Sequence, residues 1–599
     1  MHTTFDFRAQ PLIRLDAPQD PVREPPAIMP VDFGPFVFGL QNMTIKDASD
    51  DMRKKLRLLR LNTRALDDRE IVNTPIFTEA VRRHVNAHIF SQHGLLGGEV
   101  AKLRQLGSDS SGSLFAPDDA PIRPEDAPFL HYNVTAPSST FICGSQGSGK
   151  SHTLSCLLEN CLLASDANTL PNPLTGVVFH YDAFSSDESG QPCEAAHLSS
   201  NPDVSVRVLC APTNVAQIRS TYAHLKNVHV QELRLSERNL NTRRMLDLMA
   251  VSSIQGGGMP LYFHVLTRIL KEMRIQQQQT GGGFNYRAFK QALASEKFSK
   301  DQNGPLMQRL ETLESFMARE HVGPGPGSHG SYGIGSTRGR NGVAGESTAT
   351  QWEGKPGQLT IVDLSCPCMT AESACALFNI CLSLFLEQNT KTGRVVALDE
   401  AHKYMTDSTE SQALTESLLA TIRLQRHLGA RVIIATQEPT ISPKLLDLCS
   451  VTLVHRFTSP DWLQSLKRHL AAAAQPGLTA RAASSSSSSQ SSEQGALAEG
   501  RDTLSALFAR IVVLRQGEAL LFCPSALVGV VKGADAPGAD SDGLADWAES
   551  WSGGGAHEAG RVLLEDGSGN HLVRLGCGVM HIRVRERVTE DGGKSIMAG

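Results

Sequence analysis

The sequence has no CxxC pair, because its 12 cysteines are scattered over 599 residues and Cys366 and Cys368 form the closest couple. It therefore lacks the ligand spacing of a zinc ribbon and the cysteine framework of a small disulfide-stabilised domain. Basic charge is not in excess either, since 57 lysines and arginines face 62 aspartates and glutamates, for a net charge of −5. A nucleic-acid surface spread over the whole molecule is excluded, and any such surface must be local.

Long hydrophobic runs are also missing. The longest apolar helix pattern, residues 374–386, contains Asn379 and is too short to cross a bilayer. Residues 1–6 show neither the basic nor the apolar region of a signal peptide. We therefore expect no membrane insertion and an intracellular protein, cytoplasmic or nuclear.

One stretch of the chain has a specific chemical signature. Residues 144–151, Gly-Ser-Gln-Gly-Ser-Gly-Lys-Ser, fit the phosphate-binding (Walker A) pattern G-x-x-x-x-G-K-[ST] at every fixed position. An apolar strand pattern at 140–143 precedes it and a leucine-rich helical pattern at 154–161 follows it. Glycines let the backbone wrap a phosphate with successive N–H groups, and the helix dipole adds positive potential. A chance glycine-rich turn is the alternative, and the flanking strand and helix argue against it.

The P-loop residues are therefore predicted to bind a nucleotide. The predicted nucleotide-binding residues are Gly144, Ser145, Gln146, Gly147, Ser148, Gly149, Lys150, Ser151 and His152. Lys150 is predicted to reach the β- and γ-phosphates, and the Ser151 hydroxyl to complete the shell of a Mg²⁺ ion.

A second apolar strand pattern, residues 395–398, ends in the carboxylates Asp399 and Glu400 and has the form of a Walker B strand. Ligands bind at the carboxyl ends of the strands in open α/β sheets. We predict that Asp399 holds Mg²⁺ through water and that Glu400 orients and polarises the attacking water. Many strands end in an acidic turn, so the pair is informative only together with the P-loop.

Residues 399–402, Asp-Glu-Ala-His, also spell the box of one helicase superfamily. The sequence contains neither the Ser-Ala-Thr motif nor the late arginine-rich motif of those helicases. We therefore interpret Ala401 and His402 as the opening of the next helix.

The strand pattern at 432–436 is followed by Gln437. In P-loop ATPases with a catalytic glutamate, an additional strand lies between the P-loop strand and the Walker B strand, and a polar residue at its tip faces the γ-phosphate. Gln437 is predicted to be this sensor, because an amide can bond both a phosphate oxygen and the lytic water. The alternative is a turn glutamine before Pro439.

These residues resemble the HerA/FtsK group of P-loop ATPases, and more closely AAA-type ATPase-like proteins of filamentous fungi. The likeness extends over residues 140–210 and 358–525. It is most specific at 380–386 (ICLSLFL), 395–404 (VVALDEAHKY) and 422–439 (IRLQRHLGARVIIATQEP).

The resemblance implies a RecA-like core that hydrolyses ATP with Mg²⁺, often within a homo-oligomeric, hexameric ring. It further implies an arginine that reaches the γ-phosphate of the neighbouring subunit, for which Arg423 and Arg426 are the candidates. The alternative for both arginines is a solvated helix face. Some members of the group move DNA, but the low-complexity insertions and the lack of a recognisable pore loop leave DNA as a partner open here.

The predicted fold is α/β: a RecA-like P-loop core with a mostly parallel sheet, an inserted all-helical subdomain and a small C-terminal β element. The predicted segments are an N-terminal arm with helices and linker at 1–126, core at 127–235, inserted helices at 236–322, a disordered Gly-rich linker at 323–357, core at 358–470, a disordered Ala/Ser-rich insertion at 471–501, a last core helix and strand at 502–532, and a C-terminal loop with a small antiparallel sheet at 533–599.

Two short basic segments could contact nucleic acid. One is a helical pattern at 51–66, for which a solvated face is the plainer interpretation. The other is the strand pattern at 580–588, where Arg583, Arg585 and Arg587 alternate at period two. Such a strand could hold a nucleic-acid backbone, close over a neighbour's nucleotide, or form a charged edge that resists aggregation.

Two functions remain in view. The first is an Mg²⁺-dependent ATPase that drives movement or remodelling of a macromolecule, with DNA as one candidate. The second is a nucleotide-gated scaffold or signalling module with little turnover. A phosphotransferase fits less well, because Asp399 comes 255 residues after Gly144, the first residue of the P-loop, and Gln437 supplies a sensor.

Overall fold

The computed structural model describes most of the chain from residue 70 onward. The described residues are 52, 70–86, 88–108, 123, 126–183, 190–249, 261–318, 349–388, 391–439, 441–470, 505–531, 562–565 and 570–592. The chain divides into two compact units, Met1–Thr63 and Arg64–Gly599, and every element below belongs to the second. Three predicted segments lie wholly or partly outside the described residues: the basic helix (apart from residue 52), the Gly-rich linker at 323–357 (apart from 349–357) and the Ala/Ser-rich insertion at 471–501.

The strands of this unit are numbered in chain order. They are β1 (Ile76–Thr78), β2 (His93–Glu99), β3 (Phe129–Asn133), β4 (Ser139–Cys143), β5 (Asn168–Thr169), β6 (Thr175–His180), β7 (Ser205–Cys210), β8 (Val228–Glu232), β9 (Gln358–Asp363), β10 (Arg394–Leu398), β11 (Ala430–Thr436), β12 (Val451–Val454), β13 (Glu518–Phe522), β14 (Leu527–Val531), β15 (Val562–Glu565), β16 (His571–Arg574) and β17 (Met580–Val584).

The helices are numbered in the same way. They are α1 (Glu79–His84), α2 (Val100–Ser108), α3 (Lys150–Leu162), α4 (Val215–Tyr222), α5 (Thr242–Met249), α6 (Leu261–Thr280), α7 (Tyr286–Ala294), α8 (Lys300–Phe316), α9 (Ala371–Glu387), α10 (Thr409–Arg423), α11 (Gln425–Leu428), α12 (Pro443–Leu448), α13 (Pro460–Leu470) and α14 (505–512).

The centre of the sheet is parallel, in the order β8-β7-β9-β6-β10-β11-β4-β12. The strands from β9 to β12 in this order are buried on both faces, as their continuous apolar runs predict, whereas the edge strand β8 is partly exposed. In β4, Phe141 packs into the core on one face, together with α9 and α10, and Ile142 packs into the core on the other, together with α3. The α/β fold predicted from the sequence is confirmed.

The sheet continues beyond β12 through mostly antiparallel strands from both ends of the unit; β1 and β14 alone among them pair in parallel. β13 pairs with β12 and then with β17, and β17 pairs with β2. β3, β1, β14, β16 and β15 extend the sheet from there. These strands complete the hydrogen bonds of an edge that β12 would otherwise expose.

Two expectations about the chain ends differ from this arrangement. The N-terminal segment was predicted to supply helices, but it also supplies β1 and β2, short strands without a clear alternating pattern. The tail was predicted to form a separate sheet, but only β15 and β16 pair with each other. The strand predicted at 580–588 ends at Val584 and joins the main sheet instead.

Helices α5–α8 form the predicted insertion between β8 and β9. Its two ends meet in a short backbone pairing, where the Leu235 N–H donates to the Phe316 carbonyl (2.7 Å) and the Ala318 N–H donates to the Leu235 carbonyl (2.9 Å). Arg244 of α5 is buried and donates to the Ser383 hydroxyl of α9 (2.7 Å). The insertion is thus anchored to the helix layer that covers the sheet.

Candidate nucleotide-binding site

The P-loop leaves the end of β4 and enters α3 in a conformation that requires glycine. Gly144 and Gly149 have φ angles of 156° and 110°. A Cβ on Gly144 would lie 2.7 Å from the Cβ of His455 and 2.8 Å from the Ser148 hydroxyl oxygen. The loop therefore packs too closely on its support for any side chain at this position.

Residues next to β12 and β13 support this loop. The Ser145 N–H and hydroxyl both donate to the Arg456 carbonyl (2.8 and 2.9 Å), just beyond β12. The Gly517 N–H donates to the Ser148 carbonyl (3.2 Å). His455 is fully buried beneath the loop, with its Nε2 3.0 Å from the Thr153 hydroxyl of α3. The segments that follow β12 and precede β13 thus stabilise the P-loop.

Lys150 is the charged centre of the loop. Its side chain is buried, and the ammonium donates to the Ser145 carbonyl within the same loop (3.1 Å). Burial lowers the pKa of Lys150, and the carboxylates of Glu400 and Asp399 act in the opposite direction. Lys150 therefore lies within the electrostatic field of both predicted Walker B carboxylates.

The strand order explains why these groups meet. β11 lies between β10 and β4, the place expected for an additional strand, and all three are parallel. Thr436 of β11 pairs with Cys143 of β4, so Gln437 follows at the same edge as the P-loop. The Gln437 amide donates to Glu400 Oε2 at 3.1 Å. The predicted sensor and the predicted base are therefore in direct contact.

The backbone of Glu400 is strained. Its φ of 48° and ψ of 46° place a non-glycine residue in the left-handed region, which costs an L-residue roughly 1–2 kcal/mol. His402 Nδ1 also lies 3.3 Å from Glu400 Oε2. Strain of this kind persists where surrounding contacts over-determine it, and it is concentrated at functional sites.

Asp399 is almost completely buried, and its two oxygens differ. Oδ2 lies 3.3 Å from His180 Nδ1 and 3.6 Å from the Cys193 thiol. Oδ1 has no hydrogen-bond partner among the described residues. Burial alone would raise the pKa of Asp399, but the hydrogen bond and charge of His180 hold it below the usual value. The carboxylate is therefore ionised and has spare acceptor capacity.

These features fit the Mg²⁺ ion that the P-loop pattern implies. A hard cation prefers oxygen ligands, and an ionised carboxylate with an unpartnered buried oxygen stands at the sheet edge that carries the P-loop. Ser151 and Asp399, the two ligands predicted from the sequence, are the residues that would hold the ion.

His152 contacts the C-terminal part of the chain. Its Nε2 donates to the Arg585 carbonyl at 2.8 Å. Arg585 in turn pairs with Glu159 of α3 at 2.8 Å, and Arg587 pairs with Glu194. The expectation of an exposed basic strand is therefore wrong for Arg585 and Arg587, whose side chains are 6% and 2% exposed.

The predicted arginine-finger candidates lie far from this site within one subunit. Arg423 and Arg426 are exposed and precede β11, whereas Gln437 follows it. β11 has seven residues, so the two edges are separated by roughly 20 Å at ~3.3 Å per residue. Neither arginine can touch the nucleotide of its own subunit, so a role for them requires a neighbouring subunit and remains a prediction.

Sequence reasoning missed several residues of the site. His180 ends β6, and the edge argument used for Asp399 applies equally to it. Cys193 and His455 are distant in sequence from the P-loop, and no local pattern marks them. Both are buried beside the site through tertiary packing.

Among known proteins, no family model and no curated protein matches the chain. Among solved structures, it is similar to VirB4 of Thermoanaerobacter pseudethanolicus, with 12% identity over 65% of this chain and 88% of that chain and a TM-score of 0.37. It is also similar to the plasmid coupling protein TrwB in complex with the GTP analogue GDPNP, with 13% identity, coverage of 72% and 92%, and a TM-score of 0.34. TrwB in complex with the ATP analogue ADPNP gives 12% identity, coverage of 72% and 90%, and a TM-score of 0.34.

VirB4 and TrwB are both HerA/FtsK-like P-loop ATPases. The parallel strand order and the position of the P-loop between β4 and α3 define the α/β fold of this chain. Within the described residues, no helix is long and apolar enough to cross a membrane.

Proposed function

We propose that the protein is an Mg²⁺-dependent ATPase. The observation that supports this most directly is the 3.1 Å contact between Gln437 and Glu400, at the edge of the sheet where β4 enters the P-loop. A glutamate and an amide in contact beside a phosphate-binding loop form the pair needed to position a water molecule.

Each residue has a distinct task in this proposal. The P-loop N–H groups and Lys150 bind the phosphates, and Glu400 accepts a hydrogen bond from the attacking water and polarises it. Gln437 is released from Glu400 to bond the γ-phosphate. Bound Mg²⁺, held by Ser151 and Asp399, would neutralise phosphate charge.

The resting contacts also favour a gated enzyme. Lys150 is bonded to the Ser145 carbonyl, and the Glu400 carboxylate is bonded to Gln437. Both must exchange partners before hydrolysis. The proposal extends further on the basis of the resemblance. The enzyme would move or remodel a macromolecule such as DNA, and it would form a homo-oligomeric ring in which Arg423 or Arg426 reaches the nucleotide of a neighbouring subunit.

Steady-state phosphate release with Mg²⁺-ATP tests the proposal. Glu400→Gln removes the water-polarising carboxylate but keeps a side chain that can bond Gln437. Turnover should fall by about 10²–10⁴-fold, whereas binding of a fluorescent ATP analogue should be retained. Glu416→Gln is the matched control, because Glu416 and its partner Lys444 are both exposed on the surface.

The alternative function, a nucleotide-gated scaffold, gives a different result. Wild type and Glu400→Gln would then both bind ATP and would release phosphate equally slowly, with or without added DNA. That outcome contradicts the enzyme proposal. The observation that favours this alternative is that Glu400 Oε2 already contacts Gln437 and His402, so it is not free to bond a water molecule.

A further inference from the structure

We infer that His180, Cys193 and Asp399 form a second metal site that binds a transition-metal ion of the Zn²⁺ type. His180 ends β6, Asp399 follows β10, and Cys193 immediately precedes a short 3₁₀ helix, Glu194–Ser200. Three separate segments thus deliver an imidazole, a thiol and a carboxylate to one point. Their ligand atoms all lie within 4.8 Å of one another.

The two distances to Asp399 within this group fit a tetrahedral ion. Zn²⁺ lies about 2.0–2.1 Å from nitrogen and oxygen ligands and about 2.3 Å from sulfur. Ligand atoms at the corners of such a tetrahedron are separated by roughly 3.3–3.6 Å. The observed separations are 3.3 Å from His180 Nδ1 to Asp399 Oδ2 and 3.6 Å from the Cys193 sulfur to the same oxygen.

The donor set distinguishes this site from the proposed Mg²⁺ site. Mg²⁺ takes oxygen ligands and keeps several waters, whereas imidazole and thiolate favour Zn²⁺ and related ions. The side chains of His180, Cys193 and Asp399 are all buried, at 7%, 0% and 3% exposure. Asp399 Oδ1 is an independent indication, because it is buried and has no partner among the described residues. A water molecule would complete the fourth position.

Further contacts fix the position of the thiol. The Cys193 N–H donates to the Tyr222 hydroxyl oxygen at 2.9 Å, and that hydroxyl donates to Asp363 Oδ2 at 2.7 Å. Outer contacts of this kind orient metal ligands and contribute to affinity. Metal binding replaces the protons of the Cys193 thiol and of the His180 nitrogen that faces Asp399.

The shared ligand predicts a consequence for turnover. Asp399 Oδ2 belongs to the transition-metal site and Oδ1 is open to the Mg²⁺ site. A Zn²⁺ ion bound by His180 and Cys193 would therefore compete for Asp399 and inhibit the enzyme. This consequence rests on the proposed function, whereas metal binding itself does not.

Titration of Co²⁺ into the metal-free, full-length chain without nucleotide tests the site. We expect a saturable thiolate-to-cobalt charge-transfer band with one equivalent bound, and bleaching of the band by Zn²⁺. Cys193→Ala should abolish the band, and His180→Asn should weaken binding by about tenfold or more, since even outer-shell losses cost 10–100-fold. Cys381→Ala is the control, because Cys381 is equally buried in α9 but outside this group.

The contrary outcomes are specific. A band that is absent from wild type, or unchanged in Cys193→Ala, overturns the metal site. If a circular-dichroism melt shows that Cys193→Ala does not fold, unchanged Co²⁺ affinity in His180→Asn overturns it instead. A wild type that binds Co²⁺ but never releases phosphate contradicts only the proposed ATPase. Zn²⁺ that binds without slowing phosphate release overturns the competition for Asp399.

Discussion

Glu159, on the P-loop helix α3, and Asp399, at the end of β10, are both buried carboxylates, but their surroundings are opposite. Glu159 is bound by residues 585–589, here called the C-terminal clamp. It accepts hydrogen bonds from Arg585 (2.8 Å), from the Thr589 N–H (3.0 Å) and hydroxyl (2.5 Å), and from the Val588 N–H (3.2 Å). In Asp399, Oδ2 accepts from both His180 and Cys193, whereas Oδ1 has no hydrogen-bond partner among the described residues.

The comparison separates a structural role from a site role. Buried polar groups are normally satisfied, and one that is not needs an explanation. Glu159 is satisfied by a single segment of chain and can only hold α3 against the clamp. Asp399 retains acceptor capacity for a ligand, and nearby Glu400 stores backbone strain. Stability should therefore respond most to changes at the clamp, and turnover to changes at the sheet edge.

The largest effect on stability is expected for Glu159→Gln. The substitution preserves shape but leaves the Arg585 guanidinium buried without its counter-charge, which costs about 3–5 kcal/mol. The midpoint of urea unfolding, followed by circular dichroism, measures the loss. Glu416→Gln, which touches only an exposed ion pair, should change stability by less than ~0.5 kcal/mol. A loss below about 1 kcal/mol for Glu159→Gln would remove the distinction between the two carboxylates.

A second effect concerns acid sensitivity at the base of the P-loop. Burial lowers the pKa of His455 to about 4, whereas it is ~6.5 in an unfolded chain. Between these values the unfolded chain binds the proton and the folded chain does not, so stability falls as pH decreases from 6.5 to 4. The full contribution is on the order of 3 kcal/mol.

Substitution of His455 by asparagine isolates the contribution of this histidine to the loss of stability in acid. Urea unfolding of wild type and His455→Asn at pH 7 and pH 5 should show a smaller acid-induced loss in the variant. His229→Asn is a matched control, because that histidine is exposed on the edge strand β8. Equal acid-induced losses in wild type and His455→Asn would mean that His455 is not held neutral beneath the loop.

The smallest predicted effect is a gain in stability. Glu400→Gly should stabilise the fold by about 1 kcal/mol, because glycine adopts the left-handed conformation without the Cβ penalty. The same variant should lose turnover. Glu400→Gln keeps the Cβ, so its unfolding midpoint should match that of wild type. A lower midpoint for Glu400→Gly would show that the Gln437 contact contributes more than the strain costs.

The elements that sequence reasoning predicted well are those whose signals are local. The P-loop pattern, the two apolar strands that end in Asp399 and in Gln437, and helix α9 each occupy one continuous stretch. Strands β1, β2, β3 and β14 were missed because they are short. In addition, β1 pairs with β14 and β2 pairs with β17 from the opposite end of the unit. The roles assigned to the site residues stay predictions until turnover and nucleotide binding are measured.

By itself, the sequence determined that a phosphate-binding turn joins a buried strand to a helix, and that two carboxylates and an amide end buried strands. Glycine spacing and apolar runs act over a few residues, so no partner is needed to recognise them. Only the tertiary structure decided that Gln437 bonds Glu400, that His180 and Cys193 take one oxygen of Asp399, and that Arg585 is buried against Glu159. These pairings join residues far apart in the chain, and the order of strands in the sheet selects them.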